Sequence, residues 1–466
     1  MRFIAAKAAA ALTAVVAAVL AVPPPASAAA QLIGNGAFTS STAPWQAIGQ
    51  TTVTAESGRM RVNVTSVVTN PWDAMVTSPT TTALNAGKSY TLSFDAYSTT
   101  AFKATTTVQY VATPSSNQSL AAPVQLTTGS RRYSIPFVAA SATNTAAEVT
   151  FQLGGSGATP TVRFDNVSLM ETQSTRPTAL YVNNLSNPAK WVAANQGTSD
   201  ATAIGSNIAN KPIFEWFGGW FTDLTLAVDS YVGAAQAADK LPMLVAYNIP
   251  NRDACANQSG GGAGDAAGYH TWITEFAKAI GTRHAIVVLE PDGVAAASCA
   301  AKPEDQYKML LDATQVLKAQ APNAWVYLDA GNATWVAADD MATRLVKSGI
   351  ANTRGFSVNV SNYITTAASE SYSVAVNGYL SGTVGAKKYV IDTSRNGNGP
   401  WTGVDNWCNP PGRKLGSVPA KQTSGAEYVF WVKVPGDSDG SCNLGQGIPA
   451  GTFSPKLAMA LINGTS

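Results

Sequence analysis

From residue 179 onward the chain repeats one pattern. A short apolar run is followed by an alanine-rich stretch with helical spacing, and then by another apolar run. The runs are ALYVNN, PIFEWFG, MLVAYNIP, HAIVVLEPD, WVYLDAG, FSVNVSNY, KYVIDTS and YVFWVKVPG; GYHTWITEFAKAI and DQYKMLLDATQVLKAQ are two of the segments between them. Strands that alternate with helices are joined by crossovers, which makes their sheet parallel. Seven or eight such units in about 290 residues predict a distorted (β/α) barrel over 179–466, with a doubly wound open sheet as the alternative. The fold class is therefore α/β for this part.

Residues 31–171 follow a different rule. Met60, Val62 and Val64 interleave with Arg61, Asn63 and Thr65, and Tyr90, Leu92, Phe94 and Ala96 repeat the alternation. Period two, broken by Gly, Asn, Pro and Ser clusters, predicts an all-β jelly-roll sandwich. Residues 172–178, containing STRPT, read as a linker. Residues 1–28 read as a signal peptide: Arg2 and Lys7 precede an Ala/Val/Leu run, and Ala26-Ser27-Ala28 fits a cleavage site. The expectation is a secreted, extracellular protein with no membrane attachment after cleavage.

Composition narrows the chemistry. The net charge is +2 with 12% charged residues, which argues against a nucleic-acid partner. With only His270 and His284, a histidine-rich metal centre or a Ser-His-Asp triad is not expected. The four cysteines, Cys255, Cys299, Cys408 and Cys442, suit two disulfides in an exported chain. Three pairings are open, and nearest-neighbour pairing is the simplest.

The run HAIVVLEPDG carries a buried-looking strand straight into Glu290, Pro291 and Asp292. Barrel enzymes place their chemistry at such C-terminal strand ends. Acids and amides recur there: Asn183, Asn184, Asp253, Glu290, Asp292, Asp329, Asn359, Asn362, Asp392, Asp437 and Asp439. Aromatics accompany them: Trp216, Trp220, Tyr247, Trp335, Tyr363, Trp401, Trp407 and Trp431. Any one acid could be a solvated turn residue, and any one tryptophan could be core. Together they suggest an acid-lined cleft whose rings stack on the C–H faces of sugars. Trp335 and Trp401 stand in polar, loop-like surroundings and are expected to be exposed.

These motifs, in this order, resemble glycoside hydrolase family 6, the inverting β-1,4-glucanases. VAYNIPNRDAC, IVVLEPDG, YLDAGNATW, NVSNY, the WCN at Trp407 and WVKVPGDSDG carry the resemblance over nearly all of 179–466. It implies that Asp292 is the general acid, held protonated by burial and by a neighbouring Asp253. It implies that Tyr247 lies beneath the scissile sugar and that Asp439 is the candidate base. It implies substrate contacts from Trp216, Ser259, Asp329, Trp335, Asn359, Trp407, Lys433 and Asp437, a structural role for Glu290, and no cofactor. The carboxyl pair of an inverting enzyme stands about 6.5–9.5 Å apart to admit a water.

Three positions depart from the family pattern: Ala254 separates Asp253 from Cys255, Asn332 stands where histidine is usual, and Gly293 follows the Glu-Pro-Asp. The segment between Cys408 and Cys442 is short, which favours an open cleft and endo attack over the tunnel of the family's cellobiohydrolases. GNGAF and RFDNVSL give 31–171 a resemblance to carbohydrate-binding modules of families 4 and 9. That implies a groove for one glucan chain, with Trp45, Trp72, Tyr97 and Tyr110 as candidate lining and a structural calcium near Asp165. The expected protein is a monomeric endo-β-1,4-glucanase acting on cellulose or a related β-glucan. A cellobiohydrolase and a non-catalytic glucan-binding protein are the rivals.

Overall fold

The structure is a computed structural model. It describes residues 31–465 except 111–117, 141–146, 173–174 and 256–259. The signal-peptide expectation therefore lies outside the described residues, as does Ser259. No helix among the described residues is long and apolar enough to cross a membrane.

Among the described residues the N-terminal half holds ten strands: β1 (Gln46–Gly49), β2 (Thr51–Glu56), β3 (Arg59–Val64), β4 (Ala74–Pro79), β5 (Ser89–Ser98), β6 (Phe102–Tyr110), β7 (Gln118–Leu126), β8 (Arg131–Val138), β9 (Ala147–Gln152) and β10 (Thr161–Glu171). They form two five-stranded antiparallel sheets, ordered β1-β4-β9-β6-β7 and β2-β3-β10-β5-β8. The period-two residues face one another between the sheets: Met60, Val62, Phe94, Phe151 and Phe164 are all buried. Phe151 stacks on Phe164 at 4.2 Å.

Two expected groove residues belong to that core instead. Trp45 is buried and stacks on Phe151 at 5.5 Å. Tyr110 is buried with its hydroxyl donating to the Ala140 carbonyl at 3.1 Å. Large aromatic rings bury much apolar area, and the sandwich core takes both. The guanidiniums of Arg59 and Arg163 stand 5.9 and 5.7 Å from the Tyr97 ring centroid, and Trp72 is exposed. The donors at Asp165 do not fit a calcium ion. Its carboxylate accepts from the Asn166 backbone at 2.8 Å and faces Arg59 at 3.9 Å, while the nearby Asp95 pairs with Arg132. Among the described residues no group of three or more His, Cys, Asp or Glu side chains is placed to hold a metal.

The second half contains α1 (Asn187–Ala194), α2 (Ser199–Ile204), β11 (Glu215–Phe217), α3 (Leu224–Ala237), β12 (Met243–Ala246), α4 (Ala266–Ile280), β13 (Ala285–Leu289), α5 (Pro303–Gln320), β14 (Ala324–Asp329), α6 (Ala338–Lys347), β15 (Gly355–Val358), α7 (Thr366–Leu380), β16 (Lys388–Asp392), β17 (Ala420–Lys421), β18 (Tyr428–Phe430) and α8 (Pro455–Asn463). The sheet order is β11-β12-β13-β14-β15-β16-β18-β17. Every pairing is parallel except that of the short β17 with β18. The order never reverses, which removes the doubly wound alternative, because that fold needs a switch point.

Closure is incomplete. The Phe214 N–H donates to the Trp431 carbonyl at 3.1 Å across the seam between the first and last parallel strands. The expected strand ALYVNN contributes only one isolated bridge, Leu180 to Leu241. Inside the strands, Phe214, Met243, Val245, Ile286, Val288, Tyr327 and Phe430 form one buried cluster. Outside them, Leu244, Val287, Leu289 and Leu328 pack on α3 to α7. With both faces covered, β12 and β13 are buried at every position, which explains their unbroken apolar runs.

The sandwich meets the second half through the outer face of its β2-β3-β10-β5-β8 sheet. Asp229 of α3 accepts from Arg132 Nε at 2.8 Å, Ser134 Oγ at 3.0 Å and Ser93 Oγ at 3.1 Å, all on that sheet. Arg283, which follows α4, pairs with the same carboxylate at 2.8 Å. The N-cap of α3, Asp223, also accepts the Arg132 backbone N–H at 2.8 Å.

Candidate active site

The strand ends carry a run of strained backbone. Asn251, Asp253, Glu290, Asp292, Asn359 and Ser361 all have positive φ, from 48° to 66°. Non-glycine residues rarely occupy this region, and such residues cluster where a site must aim its groups.

Glu290, at the end of β13, is fully buried and anchors the neighbouring segment. Its carboxylate accepts from the backbone N–H groups of Asn248 at 2.9 Å and Ile249 at 3.1 Å, and from the Tyr269 hydroxyl at 2.9 Å. Burial pushes its carboxyl up to about 7. Tyr247 and the chain leading to Asp253 are thereby tied to the Glu-Pro-Asp turn. Gly293 has a local reason: a Cβ there would lie 2.9 Å from the Glu290 carbonyl oxygen.

Asp292 is turned toward Asp329. Its backbone N–H donates to Asp329 Oδ2 at 2.9 Å, and that oxygen also accepts from Gly331 N at 3.0 Å. The Ser357 hydroxyl binds Asp329 Oδ1 at 2.9 Å. Burial raises the Asp292 carboxyl well above the carboxylate range, and the charges of Asp329, Asp253 and Asp439 add to it, while Lys433 opposes. The charge of Asp329 acts on Asp292 more strongly than that of the Asp253 expected from sequence. Asp329 itself is pushed up to about 7 by burial.

Asp439 is the opposite case. Arg395 Nη1 binds its Oδ2 at 2.7 Å, and Lys433 Nζ binds its Oδ1 at 3.0 Å. The Tyr363 hydroxyl and Asn409 N–H complete its shell at 3.2 and 3.0 Å. Burial alone would raise this carboxyl, but the two cations bring it down to about 2. One fold thus keeps one buried aspartate protonated and another ionised, the division that acid and base roles require. Arg395 was missed in the sequence reading; no motif marks it.

Trp216 donates its indole N–H to the Val432 carbonyl at 2.8 Å and meets Tyr247 edge-on at 5.2 Å. Trp335 is 39% exposed and lies over Gly331. Trp407 is half-buried, as is Trp401, whereas Trp431 is core. Asp437 accepts from Asn187 at 3.0 Å, its second oxygen has no partner among the described residues, and burial pushes it up to about 7. The Asn359 side chain is spent internally, donating to the Asp392 carbonyl and accepting from Ile364 N–H. Asn332 accepts from Thr334.

The disulfides are Cys255–Cys299 and Cys408–Cys442, with Cα atoms 5.2 and 6.0 Å apart. Ala254 therefore does not prevent the first bridge. The second holds Asn409 against the 438–442 segment, where Asn409 N–H reaches Asp439.

Residues 173–464 match the family model for glycosyl hydrolases family 6. The chain belongs to that family. It is a glycoside hydrolase, and residues 30–161 match the model of a carbohydrate binding domain. Endoglucanase 1 of Streptomyces halstedii is 46% identical over 294 residues, covering 62% of this chain and 90% of that protein. Endoglucanase A of Thermobispora bispora is 41% identical over 288 residues, covering 60% of this chain and 61% of that protein. Among solved structures, the endoglucanase Cel6 of Mycobacterium tuberculosis, in complex with a methyl-cellobiosyl-thio-cellobioside, aligns with a TM-score of 0.58 at 36% identity. It covers 62% of this chain and 99% of that one.

Proposed function

We propose that this family member is a secreted endo-β-1,4-glucanase that cleaves internal bonds of cellulose or a related β-glucan with inversion. The observation that carries the reading is the contrast between the two buried aspartates, with Asp292 raised by burial and by Asp329, and Asp439 lowered by Arg395 and Lys433.

Asp292 donates its proton to the glycosidic oxygen as the bond to the anomeric carbon breaks. A water attacks that carbon from the opposite face and forms the new bond. Asp439, ionised in the free enzyme, faces this water as the base and takes its proton as the new bond forms; its two cations make it a weak proton acceptor. Asp253 and Asp329 keep Asp292 protonated in the free enzyme. Tyr247 and Trp216 form the platform at and next to the scissile unit, with Trp335 and Trp407 as further stacking subsites. Lys433 and Asp437 take sugar hydroxyls. Asn359 acts by shaping the 359–364 turn. The N-terminal sandwich binds the same class of glucan, and the protein works as a monomer outside the cell.

Endo attack is favoured by the short 409–441 loop and by the endoglucanases at 41–46% identity. The test is to follow viscosity and reducing ends together on a soluble β-1,4-glucan. Rapid viscosity loss per reducing end supports endo attack. Reducing ends released without viscosity loss would make the protein a cellobiohydrolase.

A further inference from the structure

We propose that Trp220 is an additional sugar-stacking subsite, with the guanidinium of Arg252 beside it as a hydrogen-bond donor to the same chain. The inference rests on the glucanase reading and extends its cleft.

Trp220 belongs to the loop between β11 and α3, at the strand-end face where Tyr247, Arg252 and Asp253 also lie. It is 52% exposed, in contrast to the core tryptophan Trp431 at 1%. Its ring is nevertheless fixed. A Cβ at Gly218 would fall 2.2 Å from the indole, so the GGW sequence lets the ring fold back on its own loop. Phe221 supports it at 6.1 Å.

Arg252 joins this ring to the centre of the site. Its guanidinium stands 4.9 Å from the Tyr247 centroid and 5.5 Å from the Trp220 centroid. It is held there by Nη1 donating to the Tyr247 carbonyl at 3.3 Å and by a backbone bond from Arg252 N–H to the Gly261 carbonyl at 3.2 Å. Arginine can stack on aromatic faces and still present N–H donors outward. The two rings share one cation, so they stand within reach of one short stretch of glucan. A restrained, half-exposed indole beside fixed donors matches the needs of an uncharged sugar: an apolar platform for its C–H face and N–H groups for its hydroxyls.

The experiment compares wild type, Trp220→Ala and Trp220→Phe on β-1,4-gluco-oligosaccharides of increasing length. Binding is measured in parallel by tryptophan fluorescence in an Asp292→Asn background. The loss of kcat/KM in Trp220→Ala should grow with chain length, reaching about 2- to 10-fold on the longest and residing in KM. Trp220→Phe should keep most of the wild-type value. An equal loss at every length would mean a merely structural role, and no loss on the longest chain would remove the subsite; either overturns the proposal while leaving the glucanase reading intact. If wild type neither cleaves nor binds any of these oligosaccharides, the glucanase reading falls and the subsite with it.

Discussion

Replacing Asp229 by alanine should uncouple the sandwich from the catalytic half. Its carboxylate is 3% exposed and pairs with Arg132 and Arg283, which are 9% and 5% exposed. Ser93 and Ser134 add two neutral donors. Removing the acid strands the buried Arg283 without a counter-charge and leaves Arg132 with Asp95 alone, which costs about 3–5 kcal/mol for a buried pair broken on one side. Urea denaturation at neutral pH should show an unfolding free energy lowered by that amount, or one transition split into two. Adding Arg283→Ala should recover part of the loss, because the stranded cation is then gone.

The pH dependence has a definite sign. Burial would raise the Asp229 carboxyl, but the two arginines bring it below its ordinary value. A depressed acid contributes stability that is present above the unfolded value of about 3.9 and is lost as pH falls through the folded value. Wild type and variant should therefore differ at pH 7 and converge in strong acid. A difference below about 1 kcal/mol at pH 7, the range of exposed pairs, would refute the clamp.

Two further outcomes concern the reaction. Asp329→Asn keeps an oxygen acceptor for the Asp292 backbone but removes the neighbouring charge that raises Asp292 most, so the Asp292 carboxyl should titrate lower. The alkaline limb of kcat/KM should move to lower pH, and farther than in Asp253→Asn; equal shifts would contradict the ranking of the two neighbours. Arg395→Gln removes the stronger cation from Asp439, whose carboxyl should titrate higher. The acid limb should move to higher pH, and an unmoved limb would exclude Asp439 as the base.

Local pattern made much of this molecule legible. The unbroken runs of β12 and β13 and the alternation of β3 and β5 follow directly from which faces are covered. Asp292 was readable because its motif lies on consecutive residues at a strand end. The missing parts depend on distance along the chain. Arg395 meets Asp439 across 44 residues and Arg132 meets Asp229 across 97, with no local pattern to announce either contact. Asp329 acts on Asp292 across 37 residues of chain, again with no local pattern to announce it. Sequence leaves Trp45 and Tyr110 open between groove and core, because an aromatic in such a module suits a core and a sugar platform equally well. ALYVNN looked like a strand but pairs at a single position, where β11 takes over the rest of that edge.

The central claim is that Asp292 protonates the leaving oxygen, and leaving-group dependence tests it most directly. Asp292→Asn and wild type would be compared on a β-1,4-gluco-oligosaccharide and on an aryl cellobioside whose phenol departs without protonation. A loss of about 10²–10⁴-fold is expected on the oligosaccharide and a far smaller loss on the activated glycoside. The same large loss on both substrates would contradict it, because a general acid is needed only where the departing oxygen must be protonated.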